Sequence, residues 1–115
     1  ILSRWIKNGV TAILNLSEDV VPTVLHILSN VLDLKIGKDI STITLEDLPV
    51  YQYFSPPQTV IRQPLEAMAE LTIDKALELS TEKNRDAREI LDRRFSGELV
   101  ERDSVADLRK TAGGK

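Results

Sequence analysis

The sequence predicts an α/β fold that is built on a parallel βαβ unit. Two short apolar runs with β-branched residues, 10–16 and 40–45, have the composition of strands, and the first suits a strand covered on both faces. Between these runs, apolar residues recur at helical spacing, namely Val21, Val24, Leu25, Leu28, Val31 and Leu32. A strand, a helix and a second strand joined by short links form a right-handed crossover, so the two strands should be parallel neighbours.

Local signals predict the segments on either side of this unit. Residues 2–8 have the pattern of the end of a helix, and Gly9 follows at the position of a C-cap glycine. Pro22 is compatible with the helix of the unit because it lies near the first turn. Prolines exclude a regular helix from residues 46–57, and residues 59–63 are predicted to be extended.

The second half of the chain is predicted to contain one long helix and one strand. Pro64 can open a helix over residues 65–79. Residues 81–92 are highly charged and predict a loop or a short exposed helix, and the charged run 98–104 predicts a last strand at a sheet edge. The buried face of the long helix is expected to consist of Leu65, Met68, Ala69, Thr72, Ala76 and Leu79.

The composition limits the classes of function. The 115-residue chain is 42% hydrophobic and 29% charged, which is typical of a globular domain. It has no cysteine, which excludes disulfides and thiolate zinc sites and suits a reducing compartment. No apolar run approaches the roughly 20 residues of a membrane span. The net charge of −3 and the scattered basic residues argue against a direct grip on DNA.

The most promising place for a ligand is the edge at which the two strands of the βαβ unit end. Ser17 and Glu18 come after the first strand, and Glu46 and Asp47 come after the second. Ligands of open parallel sheets bind beyond the carboxyl ends of the strands, so these residues could form a polar cluster for a hydroxyl-rich molecule. The alternative is structural: Ser17 and Asp19 cap the helix, and Asp47 closes a turn.

Other chemistries have weaker support in the sequence. The single histidine, His26, lies in the middle of a helix and is better explained as a packed or surface residue than as a catalytic base. No glycine-rich phosphate loop follows either strand, and we expect neither a metal nor a cofactor. Tyr51, Tyr53 and Phe54 crowd one irregular segment, which favours a packed hinge or a subunit contact.

Four segments, in their order and spacing, resemble the LacI/GalR family of bacterial transcription regulators. The segment FSPPQTVIRQP at 54–64 resembles the crossover of that family, and LVERDSVA at 99–106 resembles its closing strand. LEDLP at 45–49 resembles the stretch with paired acidic residues at the end of a core strand, and residues 11–21 resemble the strand and helix of an effector motif. The first two matches are the specific ones.

The resemblance implies a particular architecture and role. The family core is periplasmic-binding-protein-like (type I), with two Rossmann-like subdomains joined by crossing strands and a ligand between them. Residues 1–108 would form the C-terminal portion of this core, and residues 109–115 a disordered tail. The chain would bind a small effector, a sugar or a related metabolite, and DNA only through an upstream domain. It would be cytoplasmic, with no membrane contact.

The same resemblance implies a homodimer or a higher oligomer. The matching surface lies along residues 20–32 and around Val50, Tyr51, Tyr53 and Phe54. We therefore expect those four side chains to contact a partner subunit.

Departures from the family pattern fall on the effector motifs. Ser17 and Glu18 stand where the family has Asn and Asp, and Glu46 replaces the first Asp of the acidic pair, whereas Asp47 is retained. These changes suggest a ligand other than the usual sugar. Two alternatives stay open: a fragment of a periplasmic-type solute-binding protein, and a small α/β hydrolase or isomerase that uses Glu18 and Glu46.

Overall fold

The computed structural model describes residues 1–81 and 92–107 and divides the chain into two compact units. Unit 1 consists of Ile1–Arg62 and Leu99–Lys115, and unit 2 consists of Gln63–Glu98. The chain therefore leaves unit 1 once and returns to it once. The expected tail, 109–115, and most of the charged segment 81–92 lie outside the described residues.

Unit 1 begins with a short helix that ends in a glycine, as the sequence predicts. Helix α1 spans Leu2–Lys7, and Gly9 follows it with φ of +87°. The Gly9 amide donates to the carbonyl of Ile6 (2.9 Å), and the Val10 amide donates to the carbonyl of Trp5 (3.1 Å). This pair of bonds is the Schellman arrangement, which requires a left-handed residue and thus explains the glycine.

A four-stranded sheet follows in the order β1-β2-β3-β4. Strands β1 and β2 are parallel with Asn15 opposite Thr44, and β2 and β3 are parallel with Thr44 opposite Val60. The parallel βαβ unit is confirmed, as is the position of β4 at an edge. The strand bounds are Ala12–Asn15 for β1, Ser41–Leu45 for β2, Thr59–Arg62 for β3 and Glu98–Val100 for β4.

The helix between β1 and β2 changes its winding halfway. Helix α2 spans Val21–His26 and continues as a π-helix over Ile27–Val31, where the Leu32 amide donates to the carbonyl of Ile27 (2.9 Å). A five-residue hydrogen bond adds a residue to the turn and shifts the apolar periodicity. Val31, which the regular spacing placed on the buried face, is therefore 64% exposed.

The core of unit 1 lies on one face of the sheet. It is formed by Val21, Leu25, Leu28, Ile36, Ile40, Tyr51 and Val60. On the strands, the inward positions are the register partners Asn15, Thr44 and Val60. The opposite face stays open, and Leu14 of β1 is 52% exposed. The expectation that β1 is covered on both faces is thus wrong for this chain, because the buried core packs against one face alone.

The returning segment, residues 99–106, is attached to unit 1 mainly by polar contacts. The Ser104 hydroxyl donates to the carbonyl of Thr42 (2.6 Å) and accepts from the amide of Thr59 (2.8 Å). The Thr42 amide donates to the Ser104 carbonyl (2.8 Å). A Cβ on Gly37, whose φ is +80°, would lie 2.1 Å from the carbonyl oxygen of Asp103. Glycine at position 37 thus permits the close approach of this segment.

Unit 2 contains the long helix predicted after Pro64. Helix α3 spans Leu65–Thr81, two residues longer than expected at its end. None of its residues is buried, and Leu65 and Leu79 of the predicted apolar face are both more than half exposed. The predicted buried face is therefore not realised, because the described residues of unit 2 supply no packing partner for it.

Candidate functional site

The ends of β1 and β2 meet at one edge of the sheet. Asn15 and Thr44 are register partners, and Ser17 and Glu46 each lie two residues further along parallel strands. The two polar segments singled out in the sequence are therefore brought to the same edge of unit 1, as predicted. The side chains at this edge differ in their hydrogen bonds and in their exposure.

The Ser17 side chain does not cap the helical turn that follows it, so the structural alternative for Ser17 does not apply. It precedes a 3₁₀ turn, Glu18–Val20, and its backbone is extended with φ of −130° and ψ of 131°. Its hydroxyl makes no hydrogen bond to the turn that follows. Ser17 and Glu18 are both exposed. Two hydrogen-bonding side chains therefore stand at the sheet edge with access to a ligand.

Glu46 lies directly after β2 in a backbone conformation that non-glycine residues rarely adopt. Its φ is +77°. The Glu46 amide donates to the carbonyl of Ile61 (2.9 Å), which extends the β2–β3 ladder by one bond, and its Oε1 accepts from the amide of Asp47 (3.2 Å). A left-handed residue costs about 1–3 kcal/mol and persists where the surroundings impose it, often at ligand sites. Glu46 is half-buried.

Asp47 is held by two arginines that are distant from it in sequence. Its Oδ2 accepts from Arg62 Nη2 (2.7 Å) and Nε (3.2 Å), and Arg102 Nη2 donates to both Oδ1 (2.9 Å) and Oδ2 (3.0 Å). Burial raises the pKa of Asp47, but the hydrogen bonds and charges of the two arginines outweigh it and hold this pKa below its ordinary value. Asp47 is therefore already engaged by two arginines within unit 1, and its place in the effector cluster stays a prediction.

Two buried hydroxyls lie close to this edge. Thr44 Oγ1 and the Tyr51 OH have no hydrogen-bond partner in the described part of the chain. Burial raises the pKa of Tyr51, and the negative charges of Glu18 and Asp19 raise it further.

The four aromatic and apolar residues expected at a subunit contact differ in how far their side chains are exposed. Tyr51 is 1% exposed and belongs to the core, where its ring lies 5.6 Å from that of Phe54. Phe54 is partly buried against the core, whereas Val50 and Tyr53 are exposed, Tyr53 by 79%. A ring that its own chain buries cannot be presented to a partner, so the predicted contact would rest on Val50 and Tyr53.

Two surface cavities of unit 1 lie away from the candidate edge. One, of about 500 Å³, opens beside the returning segment, with Ile43, Thr59 and Arg102 among its walls. The other, of about 350 Å³, lies between the helix and the loop after it, with His26 and Phe54 in its lining. Neither has Ser17, Glu18 or Glu46 in its lining.

Sequence reasoning missed the residues that hold the returning segment. Arg62, Arg102 and Ser104 all lie in the two segments that carry the family resemblance, yet nothing local indicates their partners. Arg102 contacts Asp47 across 55 residues, and Ser104 contacts Thr42 across 62. Pairing over such separations leaves no periodic trace in a single sequence.

In residues 1–81 and 92–107, no group of three or more acidic, histidine or cysteine side chains is placed to hold a metal ion. None of the helices in those ranges has the length and apolar character needed to cross a membrane.

A known protein family matches most of the sequence. Residues 4–105 match the family described as periplasmic binding protein-like domain. The chain belongs to this family, in the form of the effector-binding core of LacI/GalR-type transcription regulators.

Particular relatives agree with this assignment. The chain is 38% identical over 74 residues to the HTH-type transcriptional repressor PurR of Edwardsiella ictaluri, covering 64% of this chain and 21% of the relative. A LacI family regulator from Enterococcus faecium with bound ribose superposes with a TM-score of 0.72 at 19% identity, covering 92% of this chain and 38% of that one. The lac repressor dimer bound to operator and the anti-inducer ONPF gives a TM-score of 0.72 at 20% identity, covering 92% and 36%.

The chain therefore spans about a fifth of the length of the curated relative and about a third of each solved structure.

Proposed function

We propose that this chain is part of a sensor for a small hydroxyl-rich molecule in a transcription regulator. Ser17, Glu18 and Glu46 would bind the ligand at the edge where β1 and β2 end. The observation that supports this most is the parallel β1–β2 register, which brings two exposed or half-exposed carboxylates and an uncapped serine to one edge. Carboxylate and hydroxyl oxygens are suited to accept hydrogen bonds from the hydroxyl groups of sugars and nucleosides.

The ligand would act by a shift between conformations, without a catalytic step or a cofactor. A molecule that binds one arrangement of the regulator better than another changes the population of the two, and with it the affinity for DNA. Three relatives support this proposal, since one is named a transcriptional repressor, one was solved with ribose and one with an operator and an anti-inducer. Such a regulator would work in the cytoplasm.

The chain would form a homodimer through Val50 and Tyr53 and would not touch DNA itself. Both side chains are exposed, and they lie one and two residues from the buried Tyr51. The net charge of −3 makes the chain a poor partner for a phosphate backbone. Contact with an operator would fall to a separate DNA-binding domain.

Ligand binding can be tested on the 115-residue chain by differential scanning fluorimetry with pentoses, hexoses, nucleosides and purine bases. A ligand present at 100 times its Kd stabilises a protein by about 2.7 kcal/mol, which raises the melting temperature by roughly 5 °C or more. We expect such a shift with at least one hydroxyl-rich compound. The variant Glu46→Gln should abolish it, whereas Glu66→Gln, on the exposed first turn of α3, should leave it intact.

Two results would contradict the proposal. No shift with any compound in the panel would argue against binding by this chain. An equal shift in Glu46→Gln would show that the ligand binds elsewhere than at the edge of β1 and β2.

A further inference from the structure

The acidic pair after β2 joins an anchored side chain to a strained backbone. Glu46, the proposed ligand contact, has a φ of +77°, and Asp47 follows it directly. The Asp47 carboxylate forms an ion-pair cluster with Arg62 and Arg102, at 2.7 Å and 2.9 Å. All four residues belong to unit 1. The contacts that hold Asp47 in place therefore bear directly on the conformation of its neighbour.

Arg102 is the more buried of the two cations in this cluster. Its Nη2 donates to both carboxylate oxygens of Asp47 (2.9 Å and 3.0 Å), and its Nη1 donates to the carbonyl of Gln58 (2.8 Å). Its backbone amide donates to Thr59 Oγ1 (3.0 Å). The Arg102 side chain is 18% exposed and that of Asp47 11%, so solvent screens this pair weakly. Asp47 is thus tied to the start of β3 through an arginine whose guanidinium and backbone are both held.

Arg62 holds the same carboxylate from the other end of β3. Its Nη2 and Nε donate to Asp47 Oδ2 (2.7 Å and 3.2 Å), and its side chain is 46% exposed. Two donors of one planar guanidinium restrain the direction of the contact as well as its length. The Asp47 side chain is therefore anchored to both ends of the strand that lies beside β2.

Glu46 is restrained on its other side by the sheet. Its amide donates to the carbonyl of Ile61 (2.9 Å), which continues the ladder between β2 and β3, and its Oε1 accepts from the Asp47 amide (3.2 Å). The chain must therefore turn from this ladder bond to the anchored side chain of Asp47 within a single residue. A left-handed backbone makes the turn, and a residue with a Cβ adopts it at a cost unless its surroundings impose it.

We infer that Asp47, Arg62 and Arg102 are positioning residues that impose the left-handed backbone of Glu46. The ion-pair cluster thereby sets where the Glu46 carboxylate stands at the sheet edge. The consequence for ligand recognition rests on the proposed function, in which Glu46 binds the ligand, whereas the control of its backbone does not. Asp47 would influence a ligand through its neighbour, in addition to any contact of its own.

A thermodynamic cycle in the full chain tests this inference without a ligand. Glu46→Gly and Glu46→Ala both remove the carboxylate, and they differ in the Cβ that makes a positive φ costly. Urea unfolding followed by the fluorescence of Trp5, which lies on α1, gives the midpoint of each variant. The midpoint of Glu46→Gly should exceed that of Glu46→Ala by about 0.5 M or more, because residue 46 is forced into the left-handed region.

The same two variants are then compared in the Asp47→Asn background. Without the anchor, residue 46 can take a negative φ, where alanine stabilises a protein by restricting the unfolded chain. The difference between the two midpoints should therefore vanish or change sign. A general loss of stability in Asp47→Asn lowers both midpoints alike and leaves their difference unchanged. If Asp47→Asn does not fold, the half-exposed Arg62→Gln takes its place, and the difference should shrink.

Asp33 provides a matched control. It is exposed, and its φ of +53° is also left-handed, but it follows the π-helix and lies outside the ion-pair cluster. The midpoint difference between Asp33→Gly and Asp33→Ala should be the same with and without Asp47→Asn.

Two outcomes would overturn the inference. One is a difference at position 46 that stays unchanged when the cluster is broken, since the backbone of Glu46 would then be left-handed for another reason. The other is an equal loss of the difference at position 33. All of these measurements are made without ligand, so failure to find an effector would count against the proposed function and not against this positioning role.

Discussion

Replacing Ser104 with alanine should destabilise unit 1 more than any other removal of one hydroxyl from its surface or its core. The Ser104 hydroxyl lies between two strands: it accepts from the Thr59 amide of β3 (2.8 Å) and donates to the Thr42 carbonyl of β2 (2.6 Å). Ser104 is 0% exposed and Thr59 2%, so bulk water cannot replace the lost partner.

The magnitude follows from the groups left unpaired. A buried backbone amide without an acceptor costs about 1–3 kcal/mol, and the carbonyl of Thr42 loses a donor at the same time. We therefore expect Ser104→Ala to lower the free energy of unfolding by about 2–4 kcal/mol. That is a large part of the roughly 5–15 kcal/mol that stabilises an ordinary domain.

Urea unfolding followed by tryptophan fluorescence provides the assay. Trp5 is the single tryptophan and lies on α1, so its emission reports on unit 1. With a slope of about 1.5 kcal/mol/M, the midpoint should fall by roughly 1–3 M. The control Ser3→Ala removes an exposed hydroxyl and should leave the midpoint in place. A midpoint for Ser104→Ala equal to that of Ser3→Ala would refute the reasoning, as would an unchanged exchange rate of the Thr59 amide.

Three further predictions use matched pairs. Gly37→Ala should lower the melting temperature far more than Gly9→Ala, because both glycines have a left-handed φ but only at position 37 would a Cβ lie 2.1 Å from the Asp103 carbonyl oxygen. We expect the free energy of unfolding to fall by about 1 kcal/mol for Gly9→Ala and by at least about 3 kcal/mol for Gly37→Ala. Equal losses would contradict this account. Thr44→Val should raise the free energy of unfolding by about 1 kcal/mol, because it removes a buried hydroxyl that has no hydrogen-bond partner in the described residues. Thr42→Val should lower it by a similar amount, because the Thr42 hydroxyl donates to Gln58 Oε1 (2.7 Å). Chemical unfolding measures both changes, and two changes in the same direction would contradict this assignment. Asp47 has a lower pKa in the folded chain than its ordinary value of 3.8, so its contribution to stability is present above that value and is lost as the pH falls through the lowered pKa. The difference in unfolding free energy between the parent and Asp47→Asn should be constant from about pH 7 to 5 and should shrink as the pH falls below about 4. Acid titration of both proteins measures this difference, and a difference that grows as the pH falls would argue against an ionic role.

The regular elements of unit 1 were predictable because their signals are local. Apolar runs predicted β1 and β2, and the glycine after α1 predicted where that helix ends. The short links between β1, the helix and β2 predicted that the two strands are parallel. Each of these depends on neighbours a few residues apart. The same reasoning reached the candidate edge at Ser17 and Glu46, since parallel strands bring their ends together regardless of side chain.

The errors have distinct physical origins. The π-helix at Ile27–Val31 turned Val31 outward, and no propensity rule signals a five-residue hydrogen bond. Tyr51 was expected at a packed hinge or a subunit contact and lies in the core of its own unit, because aromatic residues suit all of these places and the choice depends on packing. Helix α3 shows an apolar stripe whose partner is not found in the described residues of unit 2. In each case the missing information is tertiary.

Asp47 and Glu46 are neighbours of similar chemistry in different surroundings. Position, charge and family resemblance all favoured a ligand-binding carboxylate, and Glu46 beside it shares those features. The two differ in what surrounds them: Asp47 faces two arginines that are distant in sequence, and Glu46 contacts a neighbouring amide. Two guanidinium groups satisfy the Asp47 oxygens and compensate the cost of burying them, which is the condition under which a buried charge serves structure. Glu18 is exposed and Glu46 has a left-handed backbone at the same edge of the sheet, so we expect the discrimination of ligands to depend on both.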